Sequence, residues 1–203
     1  MEIEKYLEHI ASRFSEIRNL FGWRQEDAAI RMGVSRSKIV TIENDHSKLT
    51  ICDAQSLFTA CDYELFKAKK TLKEIKIKGR NKKVKSALIA SSTFLTSPLF
   101  ASSIVGLLAA LRPKSFSKLI PVVSGIFGSV WATNSAKTKR EKQIEELTQE
   151  EIIDFSTIEE SMEKTLVEIE KNLLDIFLLS KWDVHLFYER LHPSLKLPLD
   201  EEI

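Results

Sequence analysis

Apolar residues recur at helical spacing along most of the chain. Between Glu2 and Phe21 they are Ile3, Tyr6, Leu7, Ile10, Phe14, Ile17, Leu20 and Phe21, a single stripe that predicts one long first helix closed by Gly22. Gln25 to Met32 has helix-forming composition with small Ala28 and Ala29 in its middle. Gly33 then supplies a sharp turn, and Ser35 caps a second short helix ending near Asn44. Two helices packed across a tight turn need a small residue where they touch, a role that suits Ala29, while Ile30, Val34, Ile39 and Ile42 are spaced to face one core. Thr50 and Asp53 stand at capping-box spacing before another helix, whose buried stripe is Ile51, Ala54, Leu57, Phe58 and Cys61. Asp62-Tyr63-Glu64-Leu65 reads as the start of a fifth helix, which makes a compact five-helix unit over roughly residues 8 to 68.

The middle of the chain changes character. From Ser86 to Leu111 there are 26 positions without a charge, more than the roughly 20 needed to cross a bilayer core, though diluted by Ser and Thr and interrupted by Pro98. After Arg112, Lys114 and Lys118 comes a second uncharged run, Leu119 to Ala136, with Gly125, Gly128 and Trp131. The two runs are expected to form a helical hairpin. Lys82, Lys83 and Lys85 before it and Lys137, Lys139, Arg140 and Lys142 after it would flank a membrane hairpin on the cytoplasmic side, whereas the charged connecting loop favours a buried oligomerisation core. Both readings stand at this level.

The last part is acidic and helical. Thr148 with Glu151 and Ser156 with Glu159 have capping-box spacing, and Phe155, Met162, Ile169 and Ile176 recur every seven residues beside Leu166 and Leu173. That stripe fits a coiled-coil seam between copies or one-sided packing within the chain. Leu173 to Leu179 is almost continuously apolar, and Trp182, Leu186, Phe187 and Tyr188 extend the surface. The expected fold class is all-α: an N-terminal five-helix domain over 1–68, a basic helix or linker over 69–85, the hydrophobic hairpin over 86–136 and an acidic amphipathic oligomerisation region over 137–203.

Charge sharpens the layout. The net charge of the 203 residues is only +1, yet Phe66 to Lys85 holds nine Lys and one Arg against one Glu, while Glu141 to Lys171 holds eleven acidic residues against three Lys. The basic stretch could lie along DNA phosphates, lie on an anionic membrane, or be a solvated linker broken at Gly79. Cys52 and Cys61 fall in an apolar helical pattern and read as core thiols of a reducing compartment. Met1 to Lys5 opens directly into a charged amphipathic segment, so no secretory leader is read there and the N-terminal domain is expected in the cytoplasm.

Catalytic chemistry is not indicated. There is no Gly-rich phosphate loop, no HExxH and no nucleophile elbow, and the pairs Glu145-Glu146, Glu150-Glu151 and Glu159-Glu160 lie on charged helix faces. His185 and His192 are seven apart with no third ligand nearby and read as surface or packing residues. Neither an enzyme, a metal nor a cofactor is expected.

The run IRNLFGWRQEDAAIRMGVSRSKIVTIENDHSKLTICDAQSLFTACDYEL, about a quarter of the chain, resembles the phage-repressor-like helix-turn-helix domain of the XRE or Cro/C1 type. The Gln opening the first motif helix, the Gly-Val-Ser turn, Arg-Ser-Lys and the closing Ile-Glu-Asn carry the resemblance. It implies a lambda-repressor-like fold whose second motif helix enters the major groove of double-stranded DNA, with Ser35, Arg36, Ser37, Lys38 and Thr41 toward the bases. Arg36 is the first candidate for guanine O6 and N7 and Lys38 the second. Gln25 corresponds to a residue that binds a backbone phosphate, and Arg18 with Glu43 to a structural salt bridge. Three positions depart from the pattern: Arg24 replaces a Ser or Thr cap, Asp45 replaces Gly, and Asp27 adds negative charge.

The expected function is that of a sequence-specific transcriptional regulator, a repressor-like homodimer associated with the membrane through its hairpin and possible lipid contacts. Two alternatives remain: a soluble regulator with a hydrophobic oligomerisation or ligand-binding domain, and a membrane-active phage-defence or toxin-like effector whose helix-turn-helix regulates its own gene.

Overall fold

The computed structural model of the chain describes residues 3–78, 81–100, 134–149 and 153–177. It is all-α. The helices are α1 (Ile3–Ser12), α2 (Phe14–Leu20), α3 (Gln25–Met32), α4 (Arg36–Asn44), α5 (Ile51–Ile77), α6 (Lys82–Ala90), α7 (Asn134–Gln149) and α8 (Phe155–Phe177), with 3-10 turns at His46–Lys48 and Thr93–Thr96. The described residues form two compact units, one of 3–19, 23–64 and 171–177, the other of 20–22, 65–78, 81–100, 134–149 and 153–170.

In the first unit the expected long first helix is two helices that meet at Arg13. The Ser12 hydroxyl donates to the His9 carbonyl at 2.7 Å, and the Arg13 N–H divides itself between the carbonyls of His9 and Ile10 at 3.3 and 3.2 Å. A serine that bonds back competes for the carbonyl of the preceding turn and bends the helix there. The fourth and fifth expected helices are, conversely, a single one. Nothing between Cys61 and Ala68 stops a helix, since the stretch has no Gly or Pro and Glu64 points inward, so α5 continues for 27 residues.

Most of the expected core is found buried, including Tyr6, Ile10, Phe14, Ile17, Ala28, Ala29, Ile39, Ile42, Leu57, Phe58 and Cys61. Ile30 and Ile51 are corrections. Both are exposed, because the inward face of α3 is set by Ala28, Ala29 and Met32, and that of α5 begins at Ala54. Cys52 is likewise exposed rather than core, while burial pushes the Cys61 thiol well above its usual pKa.

The second unit is built around Ala68, Leu72 and Ile75 of α5, Ile89 and Ala90 of α6, Phe94, Leu95 and Phe100 after it, Ile144 and Leu147 of α7, Ile153 before α8, and Ile158, Met162 and Leu166 of α8. These apolar groups from the described part of the first uncharged run are therefore protein core. The run is not one helix either: α6 ends at Ala90, and Ser91 to Ser97 pass through a 3-10 turn. No helix among the described residues is long and apolar enough to cross a membrane. The rest of the expected hairpin, with Arg112, Lys114, Lys118, Gly125, Gly128 and Trp131, lies outside the described residues, as do Trp182, His185, Leu186, Phe187, Tyr188 and His192.

In this region one open alternative closes and two expectations change. The seven-residue stripe of α8 is buried within the chain at Met162, Leu166, Ile169, Leu173 and Ile176, so it packs one-sidedly and is not left open as a seam between copies. Arg140, expected among the basic residues that would flank a membrane hairpin, is buried, and desolvation lowers its pKa. Ser156 does not cap α8. Asp154 does, its carboxylate accepting the N–H groups of Ser156 and Thr157, while Thr148 sits inside α7 and bonds back to Ile144 and Glu145.

The acidic and basic stretches meet inside this second unit. Lys69 pairs with Glu170, Lys76 with Glu163 at 3.0 Å and Lys85 with Glu159 at 2.5 Å. Segment 20–22 belongs here as well. The Thr96 hydroxyl donates to the Phe21 carbonyl at 3.2 Å and the Ser97 hydroxyl to the Leu20 carbonyl at 3.1 Å. Gly22, at φ +67°, lies so close that a Cβ there would come within 1.6 Å of the Thr96 carbonyl oxygen.

Candidate nucleic-acid interface

Helices α3 and α4 are joined through a three-residue turn. Gly33 closes α3 at φ +67°, a left-handed conformation that costs an L side chain energy, and the Val34 N–H reaches the Ala29 carbonyl at 3.0 Å. Ser35 begins α4, its hydroxyl accepting from the Lys38 N–H at 3.2 Å. Ile39 and Ile42 anchor the inner side of α4 in the core. The outer side carries Arg36, Ser37 and Thr41, all exposed, with the Thr41 hydroxyl donating to the Ser37 carbonyl at 2.9 Å.

The salt bridge expected between Arg18 and Glu43 is formed, at 2.9 Å between Nε and Oε1, and both side chains are largely shielded from solvent. Arg18 also donates to the Trp23 carbonyl at 2.6 Å. The pair thus joins α2, the entry to α3, and the end of α4. Removing one partner would leave a partly buried charge stranded, which costs roughly 3 kcal/mol.

The remaining site residues are tied into the same network. Gln25 donates its amide to Glu43 Oε2 at 2.6 Å and offers its oxygen to Arg36 at 3.5 Å, so the donor expected to hold a phosphate is engaged inside the protein. Arg36, with 61% of its side chain exposed, is paired with Glu26 at 2.8 Å. Lys38 is turned away from the outer surface. Its ammonium sits 3.0 Å from Asp53 Oδ2 and donates to the Lys48 carbonyl at 3.1 Å, fastening α4 to the start of α5. Asp53 receives it inside the expected box, in which Thr50 donates N–H and hydroxyl at 2.9 and 2.7 Å and Asp53 returns its N–H at 3.2 Å. Burial opposes ionisation of Asp53, but the Thr50 hydrogen bonds and then Lys38 outweigh it, and its pKa lies below the ordinary value.

The departures from the family pattern have local uses. Asp27 accepts the Arg24 N–H at 2.9 Å and so satisfies one free donor at the start of α3, the reciprocal half of a capping box, while Arg24 supplies no side-chain cap of its own. Asp45 takes an extended conformation, φ −135°, so no left-handed residue is needed where the family has Gly. Its carboxylate accepts from the N–H and hydroxyl of Ser47, which holds the Asp45 pKa below the usual carboxylate value.

Glu26, Arg31 and Glu64 were not singled out by the sequence. Arg31 lies over the Trp23 ring at 5.2 Å and pairs with the buried Glu64 at 2.8 Å, bracing α3 against α5. Glu26 matters because it pairs with Arg36, the residue expected from the sequence to read a base. No spacing rule links positions 26 and 36, which meet only when the turn brings α3 beside α4. Among the described residues no His, Cys, Asp or Glu group is arranged to hold a metal ion. In comparisons with protein-family models, with curated proteins and with solved structures, nothing matches this chain.

Proposed function

We propose that the chain is a sequence-specific regulator of transcription of the phage-repressor helix-turn-helix type, binding double-stranded DNA as a homodimer. The observation that carries this is α4: a short helix capped by Ser35 and held by Ile39, Ile42 and the Arg18–Glu43 pair, with Arg36, Ser37 and Thr41 exposed along its outer side. A helix laid in the major groove reads bases with its N-terminal residues. Arg36 is the base reader, its guanidinium shaped for guanine O6 and N7, and Ser37 and Thr41 supply neutral contacts beside it. Lys38 holds α4 to α5 rather than reading bases. Gln25 steadies Glu43 and exchanges that contact for a phosphate when DNA is present. One such domain makes few base contacts, so a two-fold site with half-sites about one DNA turn apart is the expected target.

The fate of the middle segment favours one form of this regulator. Phe94, Leu95 and Phe100 are buried in the helical core of the second unit, which supports the reading in which the hydrophobic centre builds a protein domain rather than a spanning hairpin. Selection of bound duplexes from a random library with the full-length protein tests the proposal. Arg36→Ala should weaken the selected site by about 1 to 3 kcal/mol per half-site without unfolding the protein. Failure to enrich any sequence, or undiminished binding by Arg36→Ala, would sink it.

A further inference from the structure

The lysine-rich stretch has two sides, and the fold treats them differently. Lys69, Lys76 and Lys85 are consumed by the glutamates of α8. On the outer side of α5, Phe66, Lys70, Lys73 and Ile77 recur every three to four residues and so form one stripe, with Lys67 along its edge. Phe66 and Ile77 are 66% and 72% exposed, and neither Lys67, Lys70 nor Lys73 has an ion pair among the described residues. Glu74, the one acid in the stretch, is matched by Lys78 at 3.4 Å. Sorting of charge by α8 therefore leaves a cationic stripe with a large apolar side chain at each end.

We propose that this outer face of α5 is a peripheral docking surface for an anionic lipid bilayer. The helix would lie parallel to the membrane, with Phe66 and Ile77 in the headgroup boundary and Lys67, Lys70 and Lys73 against acidic headgroups. Charge complementarity selects a polyanion as the occupant, and the two apolar groups select lipid among polyanions. A duplex backbone gives Phe66 and Ile77 nothing to enter, and a second copy would set Lys70 and Lys73 against their own kind. The surface is distinct from α4 and does not depend on DNA binding.

Sedimentation of the full-length protein with vesicles of phosphatidylcholine alone, or mixed with phosphatidylglycerol, tests this. Binding is expected to the mixed vesicles only and to weaken with salt. The triple variant Lys67→Gln, Lys70→Gln, Lys73→Gln should partition about a hundredfold less, since each lysine near such a surface is worth roughly fivefold. The pair Phe66→Ser with Ile77→Ser should lose about tenfold or more with its thermal unfolding unchanged. The proposal is overturned if the parent ignores anionic vesicles, if neutral vesicles bind equally, or if both variants bind as the parent does. It is also overturned if the lysine variant loses only non-specific DNA affinity, which would make the stripe a phosphate contact.

Discussion

The Tyr6 hydroxyl donates to the backbone carbonyl of Phe177 at 3.2 Å, joining positions 171 apart. His9 makes a second bond of this kind, its Nε2 3.0 Å from the Ile176 carbonyl. The Phe177 ring meets Phe58 edge-on at 4.6 Å between centroids. The first unit is therefore completed by residues that follow the whole acidic stretch, and its core is not contained within residues 8 to 68.

Phe177→Ala should accordingly destabilise the N-terminal unit by about 3 kcal/mol or more, as large-to-small changes in a core do. Tyr6→Phe, which removes the hydroxyl alone, should cost about 1 kcal/mol. Urea unfolding of the full chain, followed through tryptophan fluorescence and helical circular dichroism, measures both. Equal costs for the two variants would refute the packing role given to Phe177.

Glu26→Gln should free Arg36. The two side chains are 45% and 61% exposed, so their pairing is worth about 0.2 to 1 kcal/mol, and its loss should strengthen binding to the selected duplex by up to about fivefold. If α4 meets DNA as proposed, removing a negative charge next to Arg36 should also raise the association rate. Stability should hardly move. Gel-shift titration at fixed salt reads the effect, and weaker binding by Glu26→Gln would show that the carboxylate helps to position Arg36.

The two left-handed glycines among the described residues, Gly22 and Gly33, should respond differently. A Cβ at Gly33 meets nothing within 4 Å, so Gly33→Ala costs only the left-handed strain, about 1 to 2 kcal/mol, and Gly33→Asn less. Gly22→Ala carries the same strain plus a collision with the Thr96 carbonyl, part of the backbone, and should be far more damaging. The order of unfolding midpoints is the check. A Gly22→Ala midpoint at or above that of Gly33→Ala would mean that segment 20–22 can move off Thr96.

Asp53 makes stability acid-sensitive. Its folded pKa lies below the ordinary 3.8, so its contribution is complete above 3.8 and is lost as pH falls through the lower folded value. Asp53→Asn should be less stable than the parent near neutrality and should lose less on going from about pH 6 to about pH 3. Parallel urea midpoints across that range would remove Asp53 from the acid response.

Order along the chain alone determined the features whose causes lie within a few residues. Gly33, the Ser35 cap, the Thr50–Asp53 box and the apolar faces around Ile10, Ile17, Ile39 and Leu57 are of this kind, because capping and helical periodicity act over three or four positions. The split at Arg13 and the exposure of Ile30 and Ile51 are not legible in the sequence, since several residues compete for each turn of helix and only packing chooses among them. Tertiary structure decided the partners. Arg36 finds Glu26, Lys38 finds Asp53, three lysines find the acids of α8, and Phe177 closes on Phe58. A charge or an apolar face specifies what kind of partner it needs, but which residue answers depends on what folding brings within a few ångströms.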